Sequence, residues 1–144
     1  MAELRRELES KEWGRTVLAA TEATRLDLIG KNIGDDGVTL LARWARASGS
    51  MANLQMLWLS GNQIGDAGMS AFAGAIASGS LANLEQMSLF ENQIGDAGMI
   101  EFSRAIASGS LASLKKRMVL DVEKNLLHYT EAVHYTEVGL GLGG

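Results

Sequence analysis

The chain has 144 residues, 47% of them hydrophobic, with 13 Lys and Arg against 17 Asp and Glu and a net charge of −4. That length and apolar share suit one domain with a packed core, and the absence of cysteine excludes disulfides, thiolate catalysis and cysteine-ligated zinc. No Lys or Arg falls between Arg46 and Arg104, so the basic stripe that displaces counterions from nucleic acid is missing there.

No apolar run is long enough to span a bilayer, and the opening MAELRRELESKEW lacks the apolar stretch of a secretory signal. With no cysteine in the chain, the expected setting is a reducing, intracellular one, cytoplasmic or nuclear, with an organelle left open.

Residues 1–22 carry Leu4 and Leu8 four apart, and Glu7 and Lys11 four apart, which predicts a short amphipathic capping helix. Trp13 precedes Trp44 by 31 residues; the segment is either a decayed half-repeat or unrelated to the repeats behind it. Residues 23–125 are then organised by a repeated unit. Short alternating stretches, Leu26-Asp27-Leu28, Leu57-Trp58-Leu59 and Met87-Ser88-Leu89, predict half-buried strands near 26–28, 57–59 and 87–89. Helices are predicted near 36–47, 67–77 and 97–107, with Met69, Phe72 and Ile76, then Met99, Phe102 and Ile106, at helical spacing. Asp66 and Asp96 stand where a helix N-cap belongs, and the Ser-Gly-Ser that closes each helix suits a C-cap.

The last part divides two ways. Leu120 to Asn125 fits a fourth strand, whereas Val119, Val122, Leu126, Tyr129 and Val133 step like a helix. The favoured reading is a short strand, then a C-terminal helix and a glycine-rich tail over 126–144.

Repetition is the strongest signal. Residues 62–82 and 92–112 are identical at 17 of 21 positions, with a period of 30. Three of the four differences, Ser70/Ile100, Ala71/Glu101 and Gly74/Arg104, lie opposite the Met-Phe-Ile stripe, and Ala73/Ser103 lies nearer to it. An inward face that holds while the outward face varies is what stacking of successive units requires.

The pattern L-x-x-L-x-L-x-x-N is carried by Leu54, Leu57, Leu59 and Asn62, then by Leu84, Met87, Leu89 and Asn92. With its N-x-I-G-D-x-G loop and long period it resembles the leucine-rich-repeat family, in its ribonuclease-inhibitor-like subclass. That resemblance implies an α/β solenoid, a short horseshoe with a parallel sheet on the concave side and helices on the convex side. It also implies that Asn62, Asn92 and Asn125 form a structural ladder along the stack. Lys31 occupies the ladder position of the first unit, which predicts an irregular turn there.

Residues alternating with the buried leucines point off the sheet in three rows. These are Arg25, Met56, Gln86 and Val119; Asp27, Trp58, Ser88 and Asp121; Ile29, Ser60, Phe90 and Glu123. Trp58 and Phe90, extended by Met56 and Ile29 and rimmed by Asp27, Glu91 and Asp121, have the composition of an interaction hot spot. The alternative is that terminal segments cover Trp58.

Chemistry of its own is not expected. His128, Glu131 and His134 recur at i, i+3 and i+6 but read as a polar helix face and not a zinc site. Asp35, Asp66 and Asp96 supply one carboxylate per unit, too few for calcium. No G-x-S-x-G occurs, and no cofactor is expected. The function implied is a non-catalytic module that binds a partner protein through the concave face. The alternatives are a structural subunit of a larger assembly held by the solenoid ends and, less favoured, a GTPase-activator-like regulator.

Overall fold

A computed structural model of the chain describes residues 1–20, 23–107 and 119–121. Two short helices come first, α1 (Ala2–Glu9) and α2 (Glu12–Ala19), where the sequence reading placed one. Strands and helices then alternate: β1 (Arg25–Asp27), α3 (Gly34–Ser48), β2 (Met56–Trp58), α4 (Asp66–Ala77), β3 (Gln86–Ser88), α5 (Asp96–Ala105) and β4 (Val119–Asp121).

The four strands form one parallel sheet in chain order, β1-β2-β3-β4. Arg25, Met56, Gln86 and Val119 are in register, as are Asp27, Trp58, Ser88 and Asp121. Each strand starts one residue earlier than its leucine pattern suggested, because the ladder is made by the residues flanking the central leucine as well as by it. Helix α3 packs on α4, and α4 on α5.

Apolar positions explain the layering. Leu26, Leu28, Leu57, Leu59, Met87 and Leu89 face the helices and are buried, while their neighbours Asp27, Trp58 and Ser88 are not. From the helix side come Val38, Leu41 and Trp44 of α3, Met69, Phe72 and Ile76 of α4, and Met99 and Phe102 of α5. The positions that differ between the twin units obey the same division. Ser70, Glu101 and Arg104 are exposed, whereas Ala73 and Ser103 are buried. Glu101 and Arg104 form a surface ion pair at 3.3 Å.

Polar residues join one unit to the next. The buried Asn62 reaches back to the first unit. Its Oδ1 accepts the Lys31 N–H at 2.8 Å and the Ile33 N–H at 3.3 Å, and its Nδ2 donates to the Leu28 carbonyl at 2.7 Å. Asn92 does the same one unit later. Its Oδ1 accepts the Asn62 and Ile64 N–H groups, each at 3.0 Å, and its Nδ2 donates to the Leu59 carbonyl at 3.0 Å. Loop groups that would otherwise be buried without partners are thereby satisfied.

The recurring aspartates act across units too, which corrects the expectation that Asp66 and Asp96 cap their own helices. The N-caps of α4 and α5 are Gly65 and Gly95, which have no side chain to offer. Asp35 supplies the acceptor for α4, its Oδ1 taking the Gly65 N–H at 2.7 Å and the Gly68 N–H at 3.0 Å. Asp66 does so for α5, taking the Gly95 N–H at 2.6 Å and the Gly98 N–H at 3.1 Å. The first turn of each helix leaves N–H groups unpaired, and here a carboxylate from the preceding unit answers them. The approach is close enough to demand glycine: a Cβ on Gly68 would lie 2.5 Å from Asp35 Oδ1, and one on Gly98 2.7 Å from Asp66 Oδ1.

In the first unit the matching glycine is Gly37, and a Cβ there would meet Ile33 Cγ2 at 2.5 Å and the Trp13 ring at 3.0 Å. Helix α2 therefore stands where a preceding repeat would. Leu4, Leu8, Trp13 and Val17 are buried in this cap, and α1 packs on α3 with the Arg5 guanidinium 5.3 Å from the centre of the Trp44 ring.

The loop at Lys31 is held by Asn62 just as the next loop is held by Asn92. Its departure lies further along, at Gly34, whose φ is 68° where Gly65 has −109°. Asn125, the histidines and the predicted C-terminal helix lie outside the described residues.

Candidate protein-binding surface

The outward face of the sheet gathers the residues singled out in the sequence. Trp58 stands in register between Asp27 and Ser88. The ladder continues past the strands, with the Gly30 N–H bonded to the Ser60 carbonyl and the Gly61 N–H to the Phe90 carbonyl. Ile29, Ser60 and Phe90 therefore succeed Asp27, Trp58 and Ser88 as the next row. Phe90 is diagonal to Trp58 on the adjacent strand, a separation that two aromatic side chains can bridge. Ser60 Oγ and Ser88 Oγ share a hydrogen bond on the other diagonal of the same square.

Exposure is graded across this face. Ile29 is 48% exposed, while Met56, Trp58 and Phe90 are half-buried. Trp58 is thus less open to water than its strand position alone suggested. Arg25 contributes to this cover, its guanidinium lying over the indole at 4.6 Å from the ring centroid. A planar cation stacked on the indole face gains quadrupole attraction and screens one side of the ring. Arg25 belongs to the first outward row but was not among the expected site residues. Its diagonal position toward Trp58 was the available signal.

Asp27 is exposed, and its Oδ1 accepts the Ile29 N–H at 3.0 Å, which fixes the exit of β1 beside the patch. Glu91 is exposed at the far rim and has a φ of 54°. Gly30 and Gly61, at the same place in the preceding loops, have φ of 64° and 68°. A glutamate there holds the left-handed backbone conformation that the other two units assign to glycine, and this stores strain beside Phe90. Asp121 is placed by its backbone pairing with Ser88. Glu123, like His128, Glu131 and His134, lies outside the described residues.

The ladder asparagines stand apart from this face. Asn62 and Asn92 are buried, and their amides are taken up by backbone. Among the described residues no group of three or more His, Asp or Glu is arranged to hold a metal ion, and no helix is long and apolar enough to cross a membrane.

A family model described as the leucine-rich repeat matches residues 50–73 and 80–103. Each match runs from ahead of a strand, β2 or β3, through the loop and into the helix behind it, so the two contain Trp58 with Asn62 and Phe90 with Asn92. No curated protein matches the chain. The two matches support a leucine-rich-repeat family, and the alternating helices and small parallel sheet fit its α/β fold. Domains of this kind generally mediate protein–protein interaction and are generally non-catalytic.

Proposed function

We propose that this chain is a non-catalytic recognition module that binds a partner protein through the outward face of its sheet. In this reading the units continue as in the ribonuclease-inhibitor-like subclass, a short horseshoe with the sheet on its inner side. The 30-residue period, with a full helix behind each strand, supports that geometry.

The observation that carries the proposal is the Trp58 surface. A half-buried tryptophan under one arginine, with Ile29 exposed and Met56 and Phe90 beside it, offers apolar area and a desolvatable cation together. Tryptophan and arginine are the residue types that most often dominate binding energy at interfaces. Asp27 and Glu91 form the polar edge that excludes water once a partner sits down.

The test is site-specific. A photo-reactive side chain at Ile29 should cross-link a discrete protein, and adding Trp58→Ala to that variant should remove the adduct. The same probe at Arg104, on the exposed side of α5, should yield none. Adducts that survive Trp58→Ala, or that form equally from position 104, would remove the proposal.

A further inference from the structure

The described sheet ends at β1, which is hydrogen-bonded to β2 on one side only. In a parallel pair, alternate residues of a strand turn both backbone groups toward the same neighbour. The Thr24 carbonyl and the Leu28 N–H serve β2, and Leu26 falls in step with them. The N–H and C=O of Arg25 and of Asp27 therefore point away from the sheet, and no described residue bonds them. Beside them lies an open cleft of about 570 Å³, walled on its other side by Arg15, Thr16 and Ala19 of α2 and by Ala20 just beyond it.

This edge is complementary to itself. Let a second copy of Arg25-Leu26-Asp27 lie antiparallel to the first, with the two Leu26 residues opposite each other. Arg25 then faces Asp27 of the partner subunit, and Asp27 faces the partner's Arg25. Facing antiparallel residues whose backbone groups both point inward exchange two hydrogen bonds. The two facing pairs therefore use all eight free groups of the two strands. The same alignment sets guanidinium against carboxylate twice, on the side of the sheet that carries Trp58, and such cross-strand pairs are attractive. A slip of one residue loses both matches, since Leu26 has already given its backbone groups to β2. Backbone and charge thus select one register, and it is the two-fold one that closes after a single partner.

We propose that this chain forms a two-fold dimer by pairing its β1 edges, with a second copy of the chain occupying the cleft beside α2. The two four-stranded sheets become continuous, and each Arg25 guanidinium turns from the Trp58 ring to the facing carboxylate. The dimer does not require the partner-binding role proposed above.

Sedimentation of the whole chain over a wide concentration range tests it. The mass should rise from 15.4 kDa toward twice that value, and the amides of Arg25 and Asp27 should exchange more slowly with solvent as dimer forms. The Leu26 amide, already bonded, should not change. R25D and D27R, each folded by circular dichroism, should dimerise alone at least about tenfold more weakly, because both facing pairs become like-charged. An equimolar mixture of the two should regain dimerisation, since each strand then meets its opposite. A wild-type chain that stays monomeric with freely exchanging Arg25 and Asp27 amides would overturn the proposal. So would variants that associate as well as wild type, or folded variants whose mixture does not recover.

Discussion

The first repeat and its two successors answer the same structural demand with different residues, and the difference shows which way each residue reaches. Asn62 and Asn92 reach back to the loop of the unit before them. The first unit has a helical cap behind it in place of a loop, and Lys31 stands where the asparagine would be. Asp35 and Asp66 reach forward to the helix of the next unit, and the first unit does have a successor, so its aspartate is present. The matching glycine is kept in all three units, but in the first its space is closed by Ile33 and the Trp13 ring and not by a carboxylate. A repeat residue is thus required only where its neighbour exists.

The sharpest way to break that comparison is at the ladder. Asn62→Ala strips partners from the Lys31 and Ile33 N–H groups and from the Leu28 carbonyl, all in the loop of the preceding unit. Buried groups left unpaired cost about 1–3 kcal/mol each, so the loss of stability should be about 3–5 kcal/mol by denaturant titration. Lys31→Asn should move stability by no more than about 0.5 kcal/mol, since the described residues behind it are the helices α1 and α2 and not a repeat loop. A large gain from Lys31→Asn would show that the cap offers backbone groups after all.

Asp66→Ala should cost about 1–2 kcal/mol, the usual range for a lost helix cap. Its location is the sharper readout. Exchange of the Gly95 and Gly98 amides at the start of α5 should accelerate, while the first turn of α4 keeps its protection from Asp35. Acceleration confined to α4 would restore the own-helix cap and undo the forward reach.

The smallest expected effect is a gain. Glu91→Gly relieves a left-handed glutamate, a relief of about 1–2 kcal/mol that the greater freedom of glycine in the unfolded chain partly offsets. The net stabilisation should be about 0.5–1 kcal/mol. Destabilisation would mean that the Glu91 side chain contributes more than its backbone costs.

Much of the fold was legible without coordinates. Alternating leucines and the 3-4 spacing of Met69, Phe72 and Ile76 are local consequences of strand and helix geometry, and the three strands and three helices of the repeats lie within a few residues of where that spacing puts them. The outward rows were legible for the same reason, because each strand carries the same alternation about its central apolar residue, and aligning those residues aligns the rows although the strands are spaced unequally along the chain. What Arg25 does to Trp58 was not, since the rotamer of a long flexible side chain depends on what stands across the sheet from it. For the same reason Trp58 is half-buried where alternation alone left it in water.

The repeat unit is written in the chain itself: its period, its inward stripe, and the polar positions that recur in it. Those depend on neighbours a few residues away, where backbone periodicity dictates who shares a face. Which unit each polar residue serves is a property of the folded stack alone. Asp66 lies next to the start of its own helix in the chain, yet its carboxylate meets N–H groups 29 and 32 residues further on. Stacking brings each loop within hydrogen-bond reach of the next, and a glycine N-cap leaves its amides open to whichever acceptor arrives. Sequence distance cannot express that choice, and the open edge of β1 belongs to the same class: among the described residues no strand pairs with its far side.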